Sequence, residues 1–169
     1  MIVRCTRKLR RELSICEEDL DSGHVAGLFE DWHANLLRIE RRKCLLLTDS
    51  RTLFVFLVLG ILRRDLLAFG DLLRAHCSET LRSHGIDPEN VPALALGEGV
   101  RFAKTNDRRV LGSMNDYAFL FKVHIEHEGG IEHCDISSLN HKINETPMGT
   151  LNHDSAIRAV RSQLRQLAT

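Results

Sequence analysis

Aromatic side chains are scarce in this sequence, at 5% of residues with one Trp and one Tyr. A stacking platform for single-stranded nucleic acid needs several rings, so that class of protein is disfavoured. An excess of one charge is also missing. Lys and Arg number 23, Asp and Glu 23, and the formal net charge is zero; this removes the simplest argument for a nucleic-acid partner but leaves room for a local basic face. The five cysteines (Cys5, Cys16, Cys44, Cys77, Cys134) contain no C-x-x-C pair. Their odd number and wide spacing predict reduced, mostly buried thiols rather than a disulfide framework. The apolar run Thr52 to Leu62 is about half the length that a bilayer-spanning helix needs, and the opening MIVRCTRKLRREL has no apolar core after its charges. Together these absences predict a cytoplasmic chain with no membrane partner.

What is present fits a single domain over residues 1–169, with 43% hydrophobic and 27% charged residues, of the α+β class. Its organising stretch is Trp32 to Leu59. Leu36 to Ile39, Cys44 to Thr48 and Leu53 to Leu59 are strand-length apolar runs, cut by the polar turns Glu40–Lys43 and Asp49–Arg51. Connections that short force antiparallel neighbours, which predicts a meander. Apolar residues at successive positions in the last two runs predict cover on both faces. Ile2 to Cys5 reads as a further strand, with Thr6 capping a helix from Arg7 to about Ile15. Leu66, Phe69, Leu73, Cys77 and Leu81 form a helical stripe that starts near Asp65 and stops at Gly85. Val100 to Lys104 reads as a strand. Ser113-Met114-Asn115-Asp116 matches a capping box opening a helix that ends at Gly129-Gly130. A short helix starts at Asp135 or Ser137, and Ser155 to Leu167 closes the chain as an amphipathic helix.

Three groups of residues carry candidate chemistry. In the first, a polar turn joins a strand end to a helix start, gathering Lys104, Asn106, Arg108, Arg109, Ser113 and Asn115. Free amides and a partial positive charge at a helix start favour a phosphate or carboxylate. The plainer alternative is that Ser113 and Asp116 cap the helix and the arginines are solvated. The second is catalytic: His33 becomes a candidate general base if it lies beside Lys104 or Asp116. The third is a zinc site from His124, His127, His133 and Cys134. No H-E-x-x-H or C-x-x-C spacing supports it, so no cofactor is predicted.

Trp32-His33-Ala34-Asn35-Leu36-Leu37, Arg41-Arg42-Lys43-Cys44, Phe102-Ala103-Lys104-Thr105-Asn106 and Val110-Leu111-Gly112-Ser113-Met114-Asn115-Asp116 resemble, in this order, the signature of an uncharacterised bacterial domain family. That family is sometimes found ahead of a domain similar to the plasmid pRiA4b Orf3-like protein. The resemblance implies a bacterial, intracellular, single-domain protein associated with mobile or plasmid DNA. It implies no activity and no catalytic residue. The leading expectation is a binding module for an anionic partner, nucleic acid or protein, in a mobile-element or defence context. That reading requires Arg41, Arg42, Lys43, Lys104, Arg108 and Arg109 to share a face. The alternatives are a small enzyme acting on a phosphorylated or nucleotide-like substrate and an oligomeric scaffold using Phe54 and Phe56.

Overall fold

Ile2–Cys5 (β1) is buried at all four positions, and such a strand must be covered on both faces and flanked on both edges. A computed structural model, which describes residues 1–23, 25, 27–95 and 99–167, shows it lying between Asp31–Ile39 (β2) and Arg101–Lys104 (β5), parallel to both. Beyond β2 come Arg42–Asp49 (β3) and Val55–Leu59 (β4), each antiparallel to its predecessor. The result is a five-stranded mixed sheet in the order β4-β3-β2-β1-β5. The meander stands, and β2 begins earlier than its apolar run suggests because Asp31 and His33 lie in the strand. Glu40 and Arg41 form the two-residue β2–β3 turn with φ of 46° and 69°, the backbone that a tight hairpin demands.

Strand alternation divides the core in two. One face carries Val3, Trp32, Leu45, Leu47 and Phe56, under Arg7–Leu13 (α1), Phe69–Ser83 (α3) and Ala156–Leu167 (α7). Trp32 anchors it, stacked on Phe29 at 5.4 Å and edge-on to Phe56 at 5.5 Å. The other face carries Leu46, Val55 and Leu57 under Arg108–His127 (α5) and Ile136–Glu145 (α6), which contribute Val110, Met114, Phe121 and Ile143. At roughly 30 Å, α5 matches the length of β2. Past its end, the Glu40 carboxylate accepts from the Ile131 N–H at 3.1 Å.

The edge strand β4 is sealed by side chains. Asn144 accepts from the Val55 N–H at 2.9 Å and donates to its carbonyl at 2.6 Å. One helical turn earlier, Asn140 does the same for Leu57 at 2.8 and 3.2 Å. An exposed edge with free donors invites pairing with another chain, and these two residues complete it.

Several local expectations are corrected. The capping box at Ser113 does not form: α5 begins at Arg108, and its cap is Asp107, whose carboxylate accepts from the Arg109 and Val110 N–H groups. The long helix breaks at Ala68 into Arg63–Leu67 (α2) and α3; Asp65 does not cap by position but reaches back to the Leu62 N–H at 2.8 Å. Thr6 precedes α1 without a capping bond, its hydroxyl donating to Asn35 at 3.0 Å. After Asp87 come a single 3-10 turn, Pro88–Asn90, and the short Pro92–Ala95 (α4), with no correction needed there. Pro147–Met148 (β6) and Asp154–Ser155 (β7) form a small hairpin with no signal in the sequence. Among the described residues no helix is long and apolar enough to cross a membrane.

Candidate functional site

The position of β1 inside the sheet sets Arg4 beside β2, on the face that α5 and α6 cover further along. Its guanidinium meets Asp31, Nε to Oδ1 at 2.9 Å and Nη2 to Oδ2 at 2.8 Å, with both side chains buried. The Ser50 hydroxyl donates to Asp31 Oδ1 at 2.9 Å. Its oxygen also lies 2.9 Å from His33 Nδ1. An ionised carboxylate can only accept, so the serine proton points at Asp31 and the oxygen accepts from Nδ1–H. That leaves His33 Nε2 as a lone-pair acceptor. Burial pushes the His33 imidazole down to about 4, against the pull of the Asp31 carboxylate, so the ring is neutral at pH 7.

Asp49 ends β3 and organises the following turn. Its Oδ2 accepts from the Arg51 N–H (3.2 Å), the Thr52 N–H (2.8 Å) and the Thr52 hydroxyl (2.7 Å), holding Leu53 at φ 59°. Burial raises its carboxyl to about 6, although these donors pull it down. Among the described residues, Asp49 Oδ1, His33 Nε2 and Thr48 Oγ1 are buried without a hydrogen-bond partner. Thr48 is the cross-strand neighbour of His33, so those two atoms share one face of the sheet, whereas Asp49 pairs with Trp32 and turns its carboxylate to the other face, at the end of β3. Asp31, Asp49, Ser50, Arg51 and Asp107 line a cavity of about 230 Å³ there. Buried polar atoms are normally satisfied, so each of these exceptions calls for an explanation.

The residues singled out from sequence are distributed as follows. His33 does not line the cavity but bonds the Ser50 hydroxyl, which does, and Arg109 donates from Nη2 to the Ser50 carbonyl at 2.6 Å. Lys104 is exposed at the end of β5, ion-paired with Glu17. Asn106 and Arg108 are exposed. Ser113 is buried inside α5, bonded to the Arg109 carbonyl at 3.1 Å and Thr150 at 3.0 Å. Asn115 and Asp116 are exposed about two turns along the helix, and neither lines the cavity. The start of α5 already holds an anion, the carboxylate of Asp107. The six basic residues do not share a face. Arg42 pairs with Glu132 and Lys43 with Glu12 near the β2–β3 turn, whereas Arg109 sits at the other end of β3, some 20 Å away at about 3.3 Å per residue.

His124, His133 and Cys134 do line a common cavity of about 250 Å³ with Glu128 and Asp135, while His127 does not. Burial and the Glu128 and Asp135 carboxylates raise the Cys134 thiol, which disfavours the thiolate that zinc takes. No three donor atoms of this group lie within 4.8 Å of one another; among the described residues the set that does lies elsewhere, between α3 and α6.

Arg4, Asp31, Asp49 and Ser50 went unnoticed in the sequence. Arg4 was the available signal, an arginine inside the otherwise apolar strand IVRC. Asp49 and Ser50 look like ordinary turn residues, and Asp31 precedes the first apolar run. No curated protein and no solved structure matches the chain. Residues 2–159 match the model of a family described as Domain of unknown function (DUF6933), and the chain belongs to that family.

Proposed function

We propose that the chain is a binding module whose recognition element is the acidic cavity lined by Asp31, Asp49, Ser50 and Asp107, and that its ligand presents N–H donors. The observation that carries this reading is the Asp49 carboxylate, which lines the cavity with Oδ1 buried and without a full hydrogen bond, the Phe29 backbone amide adding only a weak pull on it. A pocket whose open valences are acceptors suits a guanidinium, amidine or primary amine and not a phosphate.

Binding is favoured over catalysis by the direction of the protons. Ser50 gives its hydrogen to Asp31, whose carboxylate also takes the two-point bond from Arg4. Nothing in that chain draws a proton from Ser50 to make it a nucleophile. An anionic partner loses the shared basic face it requires, because the cations are scattered and several are paired within the chain. The mobile-element setting implied by the motif resemblance is compatible with a binding module and adds no residue to the site.

Calorimetric titration with methylguanidinium, a short alkyl diamine, inorganic phosphate and a short DNA duplex tests this. The expected result is saturable binding of a donor-rich cation that disappears in Asp49→Asn. Retention of that binding in the variant, or binding of the phosphate or DNA alone, would overturn the proposal.

A further inference from the structure

Outside this corner, the helices α3 and α6 run side by side along the sealed edge of β4, and their ends bring three metal-ligating side chains together. His84 is the residue that ends α3, where Gly85 turns the chain with φ 71°. Its imidazole is 6% exposed, lies against Phe54, and stacks on His141 of α6 with centroids 4.0 Å apart and planes 13° from parallel. His141 is followed one turn later by Glu145, whose carboxylate lies 3.3 Å from His141 Nε2. One donor atom from each of the three residues falls within a span of 4.8 Å.

The second observation is independent of this clustering. Both ring nitrogens of His84 are buried without a hydrogen-bond partner among the described residues. A histidine so placed normally donates from one nitrogen and accepts at the other. Here neither valence is used, and the ring is nine-tenths buried against the other two donors.

We propose that His84, His141 and Glu145 form a site for a divalent ion of the zinc class. Two imidazoles and one carboxylate are the donor types such ions take, and three protein ligands leave a fourth position for water or a partner's group. The ion must lie in the plane of each ring that binds it, so two stacked rings cannot both bind as they stand. His84 is fixed by its burial. His141 is half-exposed and held only by the Ser83 hydroxyl at 3.2 Å and by Glu145; turning it about its Cβ–Cγ bond directs its lone pair at the ion. Glu145, exposed on the same helix face, closes the third side. Arg161 donates to the His84 carbonyl at 3.0 Å, and this fixed positive charge opposes a cation. The Glu145 carboxylate offsets it.

The test uses the full chain, stripped with chelator and titrated with zinc against a chromophoric competitor, with cobalt substitution to read coordination from visible absorption. One zinc per chain is expected, with tetrahedral-type cobalt bands. His141→Ala and Glu145→Gln alter exposed or half-exposed side chains and leave folding intact, and each should weaken zinc at least tenfold. The control His133→Ala/Cys134→Ser, in the other His/Cys group, should leave it unchanged. Undiminished zinc binding in His141→Ala, or a loss that follows the control instead, would overturn the assignment.

Discussion

One face of the sheet is built in two contrasting halves. Over β3 and β4 it carries Leu46, Val55 and Leu57, closed by Phe121 and Ile143. Over β1 and β2 the same face carries Arg4, Asp31, His33 and Asn35, with Thr48 at the boundary. Each large apolar side chain in the first half stabilises the fold by roughly 1.5–3 kcal/mol. In the second half, each buried polar atom left unpaired costs about 1–3 kcal/mol. A single stability requirement acting on the whole face would have made both halves alike. Apolar burial therefore does not account for the polar half, and the binding role proposed above would.

Breaking the polar half at its centre gives the largest expected effect. Asp31→Ala leaves the Arg4 guanidinium buried and uncompensated, a loss of about 3–5 kcal/mol in unfolding free energy. Replacing both partners, Arg4→Met with Asp31→Leu, should recover most of that loss, because the two halves then become chemically alike. Denaturant melts of the single and double variants decide it; a double variant as unstable as the single would show that the pair itself holds the fold.

In the apolar half, Asn144→Ala bares the N–H and carbonyl of Val55, for a loss of roughly 2–4 kcal/mol. It should also raise self-association, readable by light scattering, because a strand edge is exposed. An equal loss without any change in association would mean that neighbouring groups cover the edge.

The smallest effect sharpens the comparison through pH. His33, and His84 under burial and the nearby His141, are both pushed down to about 4. Each binds fewer protons folded than unfolded, so its contribution is complete above pH 6.5 and is lost as the pH falls toward 4. Asp49, raised to about 6, has the opposite sign: its contribution is present below pH 4 and is lost as the pH rises through 6. The wild type therefore carries a partial cancellation between pH 4 and 6.5. Asp49→Asn keeps the turn's acceptor and removes the charge, so it should raise stability at pH 7 by on the order of 2 kcal/mol and steepen the acid loss. A Tm profile against pH that is unchanged in the variant would show Asp49 ionising normally.

The strands of the apolar half of this face were legible in the sequence, since strand-length apolar runs need only local pattern. The polar half was not. Arg4 and Asp31 are 27 positions apart, and nothing in either segment says that β1 inserts beside β2 in parallel. His33 was noticed as a base without a partner, and its actual neighbour, Ser50, sits in what reads as a hairpin turn. The start of α5 was displaced by one side chain: Asp107 caps six residues before Ser113 could, and this moved Ser113 from a helix start into the core. The cluster of His84 and His141 depends on packing between two helices far apart in the chain, which periodicity within either helix does not reveal.

The asparagines of α6 also impose an order of events during synthesis. Val55 and Leu57 are joined to partners 89 and 83 residues further along. At about 5–20 residues per second, β4 leaves the ribosome some 4–18 seconds before the residues that seal it. Through that interval the nascent chain presents an unprotected apolar strand, so its yield in the cell should be set by whatever shields β4 until α6 arrives.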